Sequence, residues 1–243
     1  MKLAVMQPYL FPYIGYLSLM AEADVFVVFD SAQFIDKGWI NRNRLLHPNE
    51  QKEWQYFTLP IKNKRNLESI RNLEINSETD FFSNIRGKLS FLKKRAPFYQ
   101  DAIRLIDAIS DSVSGVTRLA EFNAISLAVL ERELELQCKI VSEESIFYEP
   151  QNVNHSGQWA LEIASAAGAL EYINPISGSH LFNNEEFQAK DIKLRFLESR
   201  DVVYSQRRDR FVPDLSILDC VMWCGLKEAS RLIKTEYRIH QGV

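Results

Sequence analysis

The chain has 243 residues, with 29 basic and 32 acidic side chains and a net charge of −3. That length is enough to bury a full core, and the near balance of charge argues against a dedicated nucleic-acid binder. No apolar run approaches the roughly 20 residues of a membrane span, and Pro8 and Pro12 interrupt the one N-terminal stretch resembling a leader, so a cytoplasmic protein is expected.

The chain opens with two short apolar runs, Lys2 to Gln7 and Val25 to Asp30, on either side of an expected helix from Pro12 to Glu22. Such a βαβ unit pairs its strands in parallel and brings Gln7 and Asp30 to one edge of the sheet. In open α/β sheets that edge is where ligands bind.

The first loop, Gln7 to Tyr13, is stiffened by two prolines around aromatic side chains. Pro12 fits the first helical position, and the free N–H groups of that helix start attract anions, phosphate in particular. Gly15 would let a ligand or a neighbouring backbone approach closely. Tyr9, Phe11 and Tyr13 each suit core packing individually; the loop as a whole reads as a site.

The next segment, from Ser31 to Leu46, carries Gln33, Asp36, Lys37, Trp39, Asn41, Arg42, Asn43 and Arg44. A loop this rich in amide and guanidinium donors, with one Trp, can grip a phosphate or carboxylate and stack a ring. Trp54–Ile61 and Ser69–Ile75 alternate as strands do, joined by a basic turn from Lys62 to Asn66.

Three helices follow, over 80–94 after a Thr79 cap, 97–110 and 116–136. Their apolar faces carry no paired carboxylates or metal-ligand spacing. They read as scaffold, a helical subdomain or insertion spanning 79–137 within one α/β domain.

A strand at Lys139–Ser142, a polar loop from Glu143 to Asn154 and a helix from His155 to Ala167, closed by Gly168, lead to a strand at Leu170–Ile173. His155 is either a cap residue or, on the active edge, a base. Asn174–Leu181 then offers Pro175, Ser177, Gly178, Ser179 and His180, a composition that suits an anion nest or an ordinary turn.

Strands are expected at Ile192–Leu197 and Val202–Gln206. Arg207, Arg208 and Arg210 precede a helix capped by Asp214 or Ser216 that runs through Trp223 to Gly225. Asp219 in that helix is either a paired internal carboxylate or a functional one. A last helix, Leu226–Ile233, ends in a loose basic tail. The three cysteines, Cys138, Cys220 and Cys224, read as reduced thiols; Cys220 and Cys224 share a helix face, and no metal site is expected.

The fold expected from this order is α/β and Rossmann-like, a mainly parallel central sheet flanked by helices with a largely helical middle segment. The motifs QPYLFPYIGYL, DVFVVFDSAQF and WINRNRL, followed by SGSHL, YSQRRDRFVPDLSILD and WCG, resemble the WbqC-like proteins of bacterial polysaccharide clusters over nearly the whole chain. The resemblance implies a role in O-antigen biosynthesis, where transfer of glycine onto a sugar has been suggested. The family pattern has an aromatic where His180 stands, so no catalytic histidine is carried over.

Residue types and resemblance together suggest a transferase or ligase adding a small acyl or aminoacyl group to a nucleotide-linked or lipid-linked amino sugar, using ATP or another activated donor. Asp30, Tyr13 and Asp219 are its candidate catalytic residues. Gln7, Tyr9, Gln33, Trp39, Asn41, Arg42, Ser177, Gly178, Tyr204, Gln206 and Arg210 are its candidate binding residues, expected to converge on one pocket. The first unit is also similar to the opening of nucleotidylyltransferases and pantothenate-synthetase-like ligases, although Tyr13 and Tyr16 replace their histidines around Gly15. A non-catalytic sugar-binding module is the third reading. There is no nucleophile elbow and no Walker glycine loop.

Overall fold

The computed structural model describes residues 1–62, 68–148 and 153–242. Most of the expected basic turn, 63–66, lies outside these, as does part of the polar loop before residue 153.

Six strands form the central sheet: β1 (Lys2–Met6), β2 (Val25–Val28), β5 (Lys139–Ser142), β6 (Glu171–Pro175), β7 (Lys193–Ser199) and β8 (Tyr237–Gln241), in the order β5-β2-β1-β6-β7-β8. The first five are parallel, and β8 runs antiparallel to β7. The mainly parallel Rossmann-like sheet expected from the sequence is therefore present. The tail read as loose is β8, held because Ile239 pairs with Leu197 and His240 with Phe196.

Two cores cover the two faces, as a parallel sheet requires. On one, Ala4, Phe26, Ile173 and Leu197 meet α1 (Ile14–Glu22), α3 (Tyr99–Ser112), α4 (Leu119–Glu133) and α7 (Ile217–Thr235). On the other, Leu3, Val5, Val27 and Tyr172 meet α5 (Ser156–Ala166) and the short α6 (Asn184–Gln188). Period-two alternation along β1 sends Leu3 and Val5 to one core and Ala4 to the other.

A hairpin of β3 (Arg42–Leu46) and β4 (Trp54–Thr58) and the helix α2 (Phe81–Leu89) are inserted between β2 and β5 together with α3 and α4. The last five residues of the segment read as a donor-rich loop are thus strand. Their alternation was hidden because Asn43, although polar, is buried and donates to the carbonyls of Leu10 and Phe11 at 3.0 and 2.9 Å.

Other expectations need correcting locally. Ser69–Ile75 is a 3₁₀ turn at Ile70–Asn72 flanked by isolated bridges, because its partners are single residues such as Gln33 and Ile61. The stretch 202–206 forms no strand. Asp80, not Thr79, caps α2, its Oδ1 accepting from the Ser83 N–H at 2.9 Å. Pro12 precedes α1, whose cap position is Tyr13, and its carbonyl accepts from the Ile217 N–H. Ser216 caps α7 as expected, and Gly225, at φ +79°, breaks that helix before it resumes. Among the described residues no helix is long and apolar enough to cross a membrane.

Candidate functional site

From β1 the chain lays down β2 and β5 to one side, then returns through α5 to place β6, β7 and β8 on the other, so strand order reverses between β1 and β6. The loops leaving those two strands diverge, and divergence at the carboxyl ends opens a crevice. A hollow of about 300 Å³ lies there, lined by Gln7, Tyr9, Trp159, Asn174, Ser177 and Gly178 among others. Through Gln7, Phe29, Ser156 and Trp159, which line both, it continues into a wider depression of about 750 Å³ bordered by Ser31, Gln33, Arg71, Glu143 and Tyr148.

The loop Gln7–Tyr13 is held rigidly. Phe11 adopts φ +43°, a strained value for a bulky residue, and its ring is fully buried against Phe57 and Phe81. Buried Asn123 donates to the carbonyls of Pro8 at 2.9 Å and Ile40 at 2.7 Å. The hydroxyl of Tyr16 donates to the Gln7 carbonyl at 2.8 Å, and its ring stacks on Tyr9 at 5.0 Å. Tyr9 thus presents a fixed ring to the crevice.

On the other wall, the turn Ile176–Leu181 follows β6 directly. A Cβ on Gly178 would stand 2.6 Å from Asn174 Nδ2, and one on Gly157 would stand 2.1 Å from the Leu181 carbonyl oxygen. Both glycines therefore permit close packing of this turn, which brings Ser177 beside Trp159 and Gln7 at the crevice.

The depression has a charged hub. Arg71 Nη2 lies 2.7 Å from Asp30 Oδ1 and 3.0 Å from Glu143 Oε2, and its Nη1 lies 3.3 Å from Glu144. Glu143 also accepts from the Ser31 N–H at 3.1 Å, the Ser31 hydroxyl at 2.8 Å and the Tyr148 hydroxyl. Burial raises the Asp30 pKa against the opposing pull of Arg71. Burial and the adjoining Glu143 raise that of Tyr148, so it stays a donor. Arg71, Glu143, Tyr148 and Trp159 were not singled out from sequence. Arg71 lay in an apparent strand and Glu143 in an apparent polar loop.

The residues named from sequence fall into groups. Gln7, Tyr9, Ser177 and Gly178 share the crevice, and Gln33 borders the depression. Asp30 is 9% exposed and lines an adjoining hollow beside Arg118 and Glu121, which shares Arg71 and Glu144 with the depression. Tyr13 and Tyr204 line another hollow at the end of β7, with Gln206 and Asp219 buried behind it. Arg210 is exposed on the strap after β7.

Trp39, Asn41 and Arg42 serve the β3–β4 hairpin. Arg42 donates to the carbonyls of Gly38 and Lys37 and covers the Tyr56 ring at 4.1 Å. Asn41 donates to the Leu59 carbonyl at 3.1 Å, and Trp39 lies under the Arg44 guanidinium at 5.0 Å. Loop closure explains this concentration of donors. Gly15 admits the side chains of Ser199 and Tyr13, 2.5 and 2.7 Å from where its Cβ would be. His155 pairs with Glu186 at 3.0 Å beside the start of α5.

Asp219 is fully buried and accepts from the Tyr204 hydroxyl and Gln206 Nε2, each at 2.8 Å. Burial pushes its pKa up to about 6, against the pull of those donors. Its Oδ1 has no partner within hydrogen-bond range among the described residues, although the neighbouring Trp223 indole also pulls the pKa down. Asp219 is thus an internal carboxylate held by two neutral donors on one oxygen.

Comparison with known proteins gives the same extent as the motifs. Residues 7–231 match the model of the WbqC-like protein family. The chain is also 24% identical over 234 residues to the uncharacterized protein Rv1507c of Mycobacterium tuberculosis (strain ATCC 25618 / H37Rv), covering 92% of this chain and 94% of that protein. No solved structure matches it significantly.

Proposed function

The chain belongs to the WbqC-like protein family, and we propose that it transfers a small acyl or aminoacyl group, glycine among the candidates, to an amino sugar destined for surface polysaccharide. The observation that carries this reading is the crevice at the reversal of strand order, the place where open α/β sheets hold nucleotide-sized ligands. Its ring face at Tyr9 and Trp159 and its amides at Gln7 and Asn174 are of the kinds that hold sugars and nucleobases.

The reaction has a simple balance. The amine attacks an activated carbonyl, the C–N bond forms, the leaving group departs with its electron pair, and the ammonium formed loses one proton. Glu143 and Arg71 border the ligand-sized depression, whereas Asp30 lines only the adjoining hollow on the other side of Arg71. We therefore assign proton acceptance to Glu143, through the hydroxyl of Ser31 at 2.8 Å, and to Asp30 the role of holding Arg71. Arg71 and the amide donors of the crevice counter charge developing on the carbonyl oxygen or on a departing phosphate. ATP or another activated donor supplies the leaving group.

The test is incubation with nucleotide-linked amino sugars, glycine and ATP, and separately with acyl thioesters, followed by mass spectrometry. A sugar heavier by one acyl or glycyl group, lost in Glu143→Gln and Trp159→Ala, is expected. Tight sugar binding without turnover across the donor set would replace this reading by a sugar-binding module. Absence of both product and any thermal shift with nucleotide sugars would remove it.

A further inference from the structure

Residues 200–216 form a strap from the end of β7 to the cap of α7, and with the start of α1 this strap encloses a hollow of about 400 Å³. It opens on the α1 face of the sheet, whereas the crevice opens toward α5. Its walls are the rings of Tyr13, Tyr204 and Phe211, the last two in edge contact at 5.1 Å and 83°.

Those walls are set in advance. The Tyr204 hydroxyl is anchored on buried Asp219 at 2.8 Å. Gln206 closes the strap on itself, donating to the Val212 carbonyl at 3.0 Å and accepting from the Val212 N–H at 2.8 Å. A ligand entering here need not order the strap.

The charged border of the hollow holds two carboxylates and two guanidinium groups that are engaged elsewhere. Asp201 and Asp214 line it and are exposed. Arg200, which also lines it, has its backbone N–H on the Glu236 carbonyl at 2.9 Å and its Nη1 3.9 Å from that carboxylate. Arg44 donates through Nη2 to the Asp214 carbonyl at 3.0 Å while its guanidinium covers Trp39 and Trp54. Ring faces attract cations through their quadrupole, and carboxylates do so directly.

We propose that this hollow is a second binding site, taking a small ring compound that carries a protonated primary amine. The ring packs among Tyr13, Tyr204 and Phe211 while the ammonium faces Asp201 and Asp214. This assignment stands on the hollow alone and does not depend on the transfer reaction at the crevice.

Cyclohexylamine, cyclohexanol and cyclohexanecarboxylate present one ring with three charges, and each can be titrated at neutral pH into the isotope-labelled full chain and followed by amide resonances. Cyclohexylammonium is expected to shift Gly15, Ser199 and Val203 and to bind about two- to fivefold more tightly than the alcohol, the scale of exposed charge contacts. The Asp201→Asn/Asp214→Asn variant should lose that preference while keeping its melting temperature. Asn tolerates the left-handed backbone at position 214, where φ is +53°. Trp159→Ala, which alters the crevice and the depression joined to it but no wall of this hollow, should keep it. Equal binding of the three probes, preference for the carboxylate, amine binding undiminished in the double variant, or no shift at these residues would overturn the assignment.

Discussion

Arg71 Nη2 stands 2.7 Å from Asp30 Oδ1, and the same guanidinium reaches Glu143, so one cation compensates two carboxylates that burial would otherwise penalise. Replacing it with an apolar side chain of similar length leaves both without a counterion. Arg71→Met should cost roughly 2–3 kcal/mol near neutral pH, less than a wholly buried pair because the arginine is partly exposed. Burial raises the folded pKa of Asp30, and without Arg71 nothing from that side opposes it, so the variant's deficit should shrink as pH falls toward 4. Urea midpoints at two pH values measure this. Equal midpoints for both proteins at neutral pH would show that the hub contributes nothing to stability.

Asp219 gives a pH dependence of opposite origin, a single buried carboxylate on which Arg208 acts only through space, without an ion-pair contact among the described residues. Its folded pKa is about 6, above the ordinary 3.8. The folded state therefore binds more proton than the unfolded one between those values, and stability falls as pH rises through that window. Fully ionised, the group costs about 3 kcal/mol relative to its protonated form. Asp219→Asn keeps acceptors for Tyr204 and Gln206 and cannot ionise. It should therefore unfold at higher urea than the parent at pH 8, with the advantage fading by pH 4. An advantage independent of pH would mean that Asp219 titrates normally.

The parallel sheet could be read from sequence because its strands are short apolar runs, two of them stopped by Pro8 and Asp30 and a third following the helix-ending Gly168, signals that need only neighbours in the chain. The site was legible where it follows directly from a strand end, as at Gln7, Tyr9, Ser177 and Gly178. Elsewhere local composition misled. Arg42 and Asn41 look like ligand donors, yet their partners are carbonyls of the same hairpin region. Arg71 looked like one residue of a strand, because the carboxylates that give it meaning are Asp30 and Glu143, 41 and 72 positions away. Nor could alternation show that Tyr9 and Tyr13, four residues apart, serve separate hollows.

Asn123 lies in α4, far from the crevice in sequence, and supports it by holding Pro8 and Ile40 through their carbonyls. Removing a buried amide that satisfies two carbonyls costs about 1–3 kcal/mol. Asn123→Ala should lose that much and, because the loop Gln7–Tyr13 is then less restrained, should weaken any crevice ligand more than a distant substitution of equal stability cost. Thermal shifts with nucleotide sugars in matched variants separate the effects. Equal loss of ligand response in both would reduce Asn123 to a packing role.

The thiols differ in access. Cys138 and Cys220 are buried and burial pushes the Cys138 pKa up to about 12, whereas Cys224 is half exposed. A thiolate, and access to it, are both needed for reaction. In the native protein an aromatic disulfide reagent should label Cys224 alone, and all three only after unfolding. Rapid native labelling of Cys138 would contradict its placement between α4 and β5.

Two helical glycines provide a paired test of how α5 meets the crevice. Gly→Ala in a helix interior ordinarily stabilises by roughly 0.5–1 kcal/mol, because alanine loses less backbone freedom on folding. Gly87 in α2 has nothing within 4 Å of its Cβ position, so Gly87→Ala should show that gain. At Gly157 the new methyl would stand 2.1 Å from a backbone oxygen, that of Leu181, which cannot rotate away as a flexible side chain would. Relief requires α5 or the turn Ile176–Leu181 to move, and overpacking of this kind costs about 1–3 kcal/mol. Because Ser177 and Gly178 belong to that turn, Gly157→Ala should also weaken nucleotide-sugar binding, while Gly87→Ala leaves it unchanged. Melting temperatures moving in opposite directions, with ligand response altered only in the first, is the expected pattern. A stabilised Gly157→Ala protein would mean that α5 and the turn are not in contact.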